Sequence, residues 1–184
     1  MAVPRSRLDP ARLGVWLLLV TEAMFFAGLI AAYLVLREGS SNFGAPAGHL
    51  SLRLAAVATL MLACCSLCIS RADVALTRKR GPRIVASWVL RTVLFGGLFL
   101  CLLAVEWREC FKAGVTPRTN LYWSSFFVLT GVHGLHVFGG VLWAAWAWAS
   151  ARRGLNPVRT QLAALYWHFV DVVWLVLFTL LYLV

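Results

Sequence analysis

Long apolar stretches joined by short polar connections dominate the pattern of this sequence. Each stretch is long enough to cross a hydrocarbon core about 30 Å thick, which takes about 20 helical residues. A backbone in lipid must satisfy its own hydrogen bonds, so runs of this length favour helices over barrel strands. The pattern predicts an all-α fold, an integral membrane bundle of five transmembrane helices that forms a single membrane domain over 1–184. The predicted spans are about 13–36, 54–76, 84–105, 122–149 and 162–184.

The composition agrees with this prediction. Hydrophobic residues make up 61% of the chain and charged residues 13%, with a mean hydropathy of +0.81. Soluble domains are about half apolar and about a quarter charged. The first stretch is not expected to be a cleaved signal peptide, because its apolar run is too long and Glu22 interrupts it.

Basic residues predict the orientation of the bundle. Eleven of them fall on the side that holds the N-terminus, and five fall on the other side. The positive-inside rule therefore predicts a cytoplasmic N-terminus and a C-terminus outside. The net charge of +10 is a topology signal that can also attract anionic lipid head groups. No nucleic acid partner is expected, because the basic loops are short and flank apolar spans. The inner set comprises Arg5, Arg7, Arg12, Arg71, Arg78, Lys79, Arg80, Arg83, Arg152, Arg153 and Arg159.

A few ionisable side chains lie inside the predicted spans. A charge in the middle of a membrane is costly unless it is paired, neutral or close to water, so each of these residues needs an explanation. Arg91 is close enough to the inner surface to extend towards it, and it could instead bind lipid or form a salt bridge with a carboxylate. The set is Glu22, Arg91, His133, His136, His168 and Asp171.

Their depths predict that these residues meet. At about 1.5 Å per residue, Glu22 and Asp171 each lie about 14 Å from the inner edge of their spans. His133 falls near that depth, and His136 falls near the depth of His168. Each helical pair is spaced i, i+3 and so shares a face. We therefore predict one buried polar network of Glu22, His133, His136, His168 and Asp171.

Small residues predict where helices approach closely. On the fourth helix they should allow a neighbour to pack against the backbone, and on the first helix they should do the same. The fourth-helix set is Gly131, Gly134, Gly139 and Gly140, and the first-helix set is Ala23, Ala27 and Ala31.

Three hypotheses compete for the polar cluster. Histidines and carboxylates on facing helices can bind two metal ions or haem iron. However, the carboxylate-bridged site needs a doubled Glu-x-x-His pattern, and this chain has one His-x-x-His and one His-x-x-Asp. Such groups also serve in proton pathways. The default interpretation is structural, in which the polar side chains satisfy one another and fix helix register.

The cysteines suggest no chemistry. There are five, an odd number that gives no complete disulfide framework. Cys65 and Cys68 have C-x-x-C spacing, but they lie in an apolar stretch with no second pair, so we interpret them as small core residues.

Local sequence strings resemble a known family along essentially the whole chain. Residues 13–17 (LGVWL) and 21–26 (TEAMFF) resemble the first helix of the short form of subunit III of the haem–copper oxidases. Residues 122–140 (YWSSFFVLTGVHGLHVFGG) resemble the penultimate helix of that family, and residues 166–174 (YWHFVDVVW) resemble the last. Residues 106–109 (EWRE) match the acidic and aromatic start of the preceding outer segment.

The resemblance implies a five-helix form that lacks the first two helices of seven-helix members. It implies an accessory subunit without catalytic or metal-binding residues of its own, with the haems and copper in partner subunits. Expected partners are the catalytic subunit I, subunit II and others, and phospholipids bound in a cleft between helices. Glu22 matches the family's membrane-buried glutamate, the candidate for the proton pathway or lipid cleft, within Thr-Glu where many members have Ser-Glu.

We therefore predict an accessory subunit of a bacterial terminal oxidase in the inner membrane, which stabilises the catalytic subunit and aids oxygen or proton access. Cytochrome c is the first choice of electron donor, and quinol is the alternative. A second alternative is the related accessory protein of nitric oxide reductase. A third, a stand-alone proton-conducting protein, is disfavoured because five helices show no inverted repeat.

Overall fold

The computed structural model describes residues 10–40, 43–44, 51–154 and 158–183. Within these ranges the chain is helical apart from its turns, and five helices are long and apolar enough to cross a membrane, which confirms the predicted fold class. The predictions that rest on Arg5, Arg7 and residue 184 lie outside the described residues. The helices are α1 (Pro10–Gly39), α2 (Leu52–Thr77), α3 (Pro82–Lys112), α4 (Leu121–Arg152) and α5 (Val158–Phe178), and a π-helical turn, Thr179–Leu183, follows α5.

Local chemistry explains where three of the helices begin. The Ser51 hydroxyl accepts from the Leu54 amide at 3.3 Å to cap α2, and the Asn120 side chain accepts from the Trp123 amide at 2.9 Å to cap α4. Pro82 occupies the first turn of α3, where its missing N–H costs nothing.

Helix α3 is longer than its apolar stretch suggests. It continues through residues 106–112, which the sequence pattern assigns to an outer polar segment. Glu106, in this extension, is only 4% exposed. One side of the extension, with Glu106 and Cys110, therefore packs against the bundle, while Arg108, Glu109 and Lys112 are exposed. Where the membrane boundary crosses α3 stays a prediction.

Four helices form a ring, and the first helix lies beside it. α2 packs against α3 and α5, and α4 packs against the same two helices from the other side. α1 packs mainly against the edge made by α4 and α5, and four of its described residues are buried. Those residues are spaced so that they share one stripe of the helix. They are Val15, Leu19, Phe26 and Tyr33.

Glycines on α4 lie where neighbouring helices come close, as predicted. A Cβ at Gly134 would lie 2.9 Å from Leu103 of α3, and one at Gly140 would lie 3.2 Å from the Tyr166 ring of α5. A Cβ at Gly131 would lie 3.1 Å from Trp107, whereas one at Gly139 would lie 3.8 Å from the Tyr166 hydroxyl, an ordinary contact.

The small residues of α1 behave differently. Ala23, Ala27 and Ala31 are all exposed in the isolated chain, so the expectation that they pack against a helix of this chain is wrong. The apolar stripe of α1 that includes Phe26 and Tyr33 faces the bundle instead, and this turns the alanines outward.

Candidate functional site

Glu22 of α1 and His136 of α4 form a hydrogen-bonded pair between their helices. His136 Nε2 lies 2.9 Å from Glu22 Oε2, and His136 Nδ1 lies 2.8 Å from the Val132 carbonyl oxygen. A carbonyl only accepts, so Nδ1 carries a hydrogen and donates it to Val132. One proton is then shared between Nε2 and Oε2, whether the pair is imidazolium with carboxylate or imidazole with carboxylic acid. Either arrangement has no net charge, which makes the pair tolerable at this depth.

Aromatic rings and a tyrosine hold His136 in place. The Phe26 ring packs edge-on against it with centroids 4.8 Å apart, and Phe25 stacks at 6.5 Å. The Tyr166 hydroxyl of α5 donates to the His136 carbonyl oxygen at 3.0 Å. The Glu22 side chain remains 27% exposed and the His136 side chain 17% exposed, so the pair lies at the surface of the isolated bundle.

His133 lies one turn away from His136 in a different environment. It is fully buried, with the Phe26, Phe99 and Trp174 rings at centroid distances of 6.5, 5.7 and 5.0 Å. Neither ring nitrogen has a hydrogen-bond partner among the described residues. His133 therefore occupies an aromatic cage as a neutral ring, because an unpaired imidazolium there would be very costly.

His168 of α5 pairs with serines of α2. The Ser66 hydroxyl lies 2.9 Å from His168 Nδ1 and the Ser70 hydroxyl lies 3.4 Å from Nε2. Both carboxylate oxygens of Asp171 are buried, and neither has a hydrogen-bond partner among the described residues. His168 itself is exposed in the isolated chain. Ser66 and Ser70 carry no distinctive sequence signal, and only the packing of α2 on α5 identifies them.

Arg91 of α3 is also exposed in the isolated chain. Its guanidinium carbon lies 4.2 Å from the centre of the Trp88 ring, one turn nearer the start of α3. This contact is a cation–π interaction.

The residues that the depths placed together are therefore distributed over three groups. Glu22 joins His136, His168 joins the serines beside Asp171, and His133 lies between them without a polar contact. Among the described ranges, no three histidine, cysteine, aspartate or glutamate side chains cluster closely enough to hold a metal ion. The arrangement joins helices, and its one shared proton is held by Glu22 and His136.

A second polar cluster lies at the end of the bundle where α1, α3 and the π-helical turn end. The Tyr182 hydroxyl donates to Glu106 Oε2 at 2.8 Å. The Tyr122 and Tyr33 hydroxyls donate to the Leu181 and Leu180 carbonyl oxygens at 2.7 and 3.2 Å. These bonds fasten the π-helical turn to α1, α3 and α4. Sequence analysis missed this cluster, because its members are far apart in the chain and lie near predicted helix ends.

Replacing Tyr182 with phenylalanine is expected to destabilise this end of the bundle. The Glu106 carboxylate would lose its donor while it stays buried, at a cost of about 2 kcal/mol. Thermal unfolding of the detergent-solubilised chain measures the loss. The control is Tyr122→Phe, which removes a bond of 2.7 Å to the neutral Leu181 carbonyl oxygen of the same turn and should cost less. Equal shifts for the two variants would contradict the special role of the buried carboxylate.

Comparison with known proteins gives a consistent result. The family model described as cytochrome c oxidase subunit III matches residues 7–184. The chain is 37% identical to the cytochrome bo(3) ubiquinol oxidase subunit 3 of Pseudomonas putida, with 93% of this chain and 84% of that protein covered. It is also 37% identical to the cytochrome c oxidase subunit 3 of Thermostichus vulcanus, with 93% and 86% covered. A probable quinol oxidase subunit 3 of Staphylococcus haemolyticus is 34% identical, with 94% and 88% covered.

Proposed function

The chain belongs to the cytochrome c oxidase subunit III family, and from this premise we propose that it serves as a non-catalytic accessory subunit of a bacterial haem–copper terminal oxidase. As a multi-pass protein of the inner membrane it would form a single domain over 1–184, with its N-terminus in the cytoplasm. Haems and copper would belong to the partner subunits. Its own task would be to stabilise the catalytic subunit I, together with subunit II.

The partly exposed Glu22–His136 pair supports a role within a complex. It lies at mid-span on α1 and α4, and its side chains are partly exposed in the isolated chain. Polar groups that face hydrocarbon are costly, and at membrane depth they normally face protein or water. A neighbouring subunit would cover this surface, and the outward alanines of α1 would let a partner helix approach closely.

An apolar groove between α1 and α5 supports the proposed binding of phospholipid. It has a volume of about 410 Å³, and Trp16, Ala23 and Phe169 contribute to its walls. His168 lies in its wall and provides a hydrogen-bonding group. An acyl chain fits such a surface, because the lining is almost entirely apolar.

The electron donor has two candidates, since relatives with equal identity are named for cytochrome c and for ubiquinol. Affinity purification of the tagged chain in mild detergent would separate them. We expect the chain to co-purify with a haem-binding subunit of about twelve helices. If the complex also has a copper-binding domain outside the membrane, the electron donor is cytochrome c. If that domain contains no copper, the electron donor is quinol. A nitric oxide reductase as the co-purified partner would support the second alternative. Recovery of the chain alone, with proton flux in liposomes, would overturn the accessory role.

Glu22→Gln is expected to leave the haem content of the purified complex unchanged and to weaken subunit association or sustained turnover. The amide keeps the shape but loses the shared proton, which weakens by about 1 kcal/mol the bond that holds α1 and α4 in the arrangement presented to the partner. Haem spectra and repeated-turnover oxygen consumption measure the two effects.

The matched control is Glu38→Gln, an exposed carboxylate at the far end of the same helix, which should change neither quantity. Loss of haem in proportion to loss of His133, His136 or His168 would instead favour a ligand role for these histidines.

A further inference from the structure

Helix α3 has a buried side and an exposed side in the isolated chain. The buried side packs against α2 and α4. Residues of the exposed side are spaced alternately four and three apart, so they form one stripe along the helix. Within the predicted span this α3 stripe consists of Ser87, Arg91, Leu94, Leu98, Cys101 and Val105. It lies open to lipid or to another subunit.

Arg91 places a positive charge deep in the α3 stripe. The predicted span of α3 begins at Ile84, so the Cα atom of Arg91 lies about 10 Å inside it. Among the described residues no other lysine or arginine lies so far inside a predicted span. The guanidinium stacks on the ring of Trp88, a residue that is itself about 6 Å inside the span. The charge is therefore held at hydrocarbon depth, where it needs a partner.

The hydrogen-bonding capacity of the Arg91 guanidinium is unused. The Trp88 ring lies over the guanidinium carbon at 4.2 Å and leaves the edge of the group open. That edge carries five N–H donors. None of the described carboxylates lies within 4.0 Å of the group, and no described residue accepts a hydrogen bond from it. A carboxylate is the acceptor that matches this fork, because its two oxygens accept two parallel N–H bonds.

Gly97 leaves a gap on the same side of α3. It is partly exposed, and a Cβ placed on it would meet no atom within 4 Å. Leu94 and Cys101, three residues before it and four after it, are both exposed and flank the gap. Transmembrane helices approach each other closely over glycine and other small residues. The surface therefore combines an unpaired charge with a position where a second backbone can come near.

We propose that the α3 stripe docks a transmembrane helix of another oxidase subunit, and that this helix carries an aspartate or glutamate at the depth of Arg91. The carboxylate accepts two N–H bonds from the guanidinium, and the backbone of the partner helix passes over Gly97. A phospholipid phosphate also pairs with guanidinium groups, but it lies at the level of the head groups and gains nothing from the gap over Gly97. The inference rests on the proposed accessory role and adds to it a contact surface and the chemistry of the partner.

The test measures how fast the tagged chain dissociates from the purified complex in mild detergent. Arg91→Leu leaves the partner carboxylate unpaired and should speed dissociation about thirtyfold. Arg91→Lys keeps the charge but loses the two-pronged contact, so its effect should be intermediate. Because Arg91 is exposed in the isolated chain, neither change should noticeably lower the melting temperature of that chain.

Gly97→Val tests the close approach without a change in charge. The valine meets no atom of the isolated chain, yet it fills the space that the partner backbone occupies. Dissociation should become about tenfold faster, while the melting temperature of the isolated chain stays unchanged. Arg108→Gln is the control, because it removes an exposed charge from the same helix beyond the predicted span and should leave dissociation unchanged.

A photo-crosslinking amino acid at Leu98 identifies the partner helix within the complex. We expect it to capture a membrane-spanning segment with an aspartate or glutamate within about two turns of the captured position. Replacement of that acidic residue by leucine should restore slow dissociation to Arg91→Leu, because no charge is then left unpaired.

Four results would overturn the docking proposal. Unchanged dissociation of both Arg91→Leu and Gly97→Val would do so and would leave the accessory role intact. An effect of Arg108→Gln as large as that of Arg91→Leu would indicate only general surface charge. Loss of bound phospholipid from Arg91→Leu without faster dissociation would indicate a lipid phosphate in place of the carboxylate. A captured segment without an acidic residue would contradict the pairing. Recovery of the wild-type chain alone would overturn the accessory role and this contact together.

Discussion

Replacement of His136 by leucine is expected to destabilise the chain by about 3 kcal/mol, the low end of the cost of removing one member of a polar pair from a protein interior. The change leaves the Glu22 carboxylate at mid-span without the ring nitrogen that lies 2.9 Å away. It also removes the contact with the Val132 carbonyl oxygen. The cost lies at the low end because both side chains are partly exposed. Because α1 buries only four residues, we expect the loss to appear mainly as detachment of α1 from α4.

A double-mutant cycle provides the control. When Glu22→Leu is added to His136→Leu, no unpaired carboxylate remains, so the double variant should be more stable than His136→Leu alone. Thermal unfolding of the detergent-solubilised chain gives the stabilities, and protease accessibility of α1 reports its detachment. Additive losses in the cycle would show that the two side chains act independently and would contradict the pairing.

Gly96→Val is the second large effect, with an expected loss of about 3 kcal/mol. A Cβ at Gly96 would lie 2.7 Å from Trp167 Cη2 and 2.8 Å from Val141 Cγ2. Trp167 is fully buried, so its indole cannot move without disturbing the contacts of α3, α4 and α5. The melting temperature of the solubilised chain should fall by about 10 °C.

The adjacent glycine is a matched control for this prediction. A Cβ at Gly97 meets no atom within 4 Å, so Gly97→Val introduces the same side chain into the same helix without a clash. Its melting temperature should stay close to that of the wild-type chain. Similar losses for both variants would indicate a general cost of valine in α3 rather than close packing at Gly96.

Much of the membrane fold could be predicted because the signal is local. An apolar stretch of about 20 residues has few alternatives in lipid other than a helix, and five such stretches separated by charged turns define five helices. His133 and His136 are spaced i, i+3, and helix geometry therefore places them on the same side of α4. The close approach of neighbours at Gly134 and Gly140 was predictable for a similar reason, because only small residues permit it.

The end of α3 was harder to predict. Glu106 begins a polar segment in the sequence, yet it is buried inside a helix that continues to Lys112. Its environment depends on the Tyr182 hydroxyl, which lies 76 residues further along the chain, near the C-terminus. A local polarity pattern contains no information about such a partner. The sequence therefore suggests that Glu106 is exposed, whereas the packing of the helices buries it.

The sequence alone determined the number of helices and the strings that identify the family, and it predicts the depth of each ionisable group. The tertiary structure decided which groups meet. Depth fixes the position of a side chain along the membrane normal, but the rotation of each helix about its own axis depends on how all neighbouring side chains pack. That rotation turns His136 towards Glu22, places His133 among aromatic rings, and brings His168 to the serines of α2.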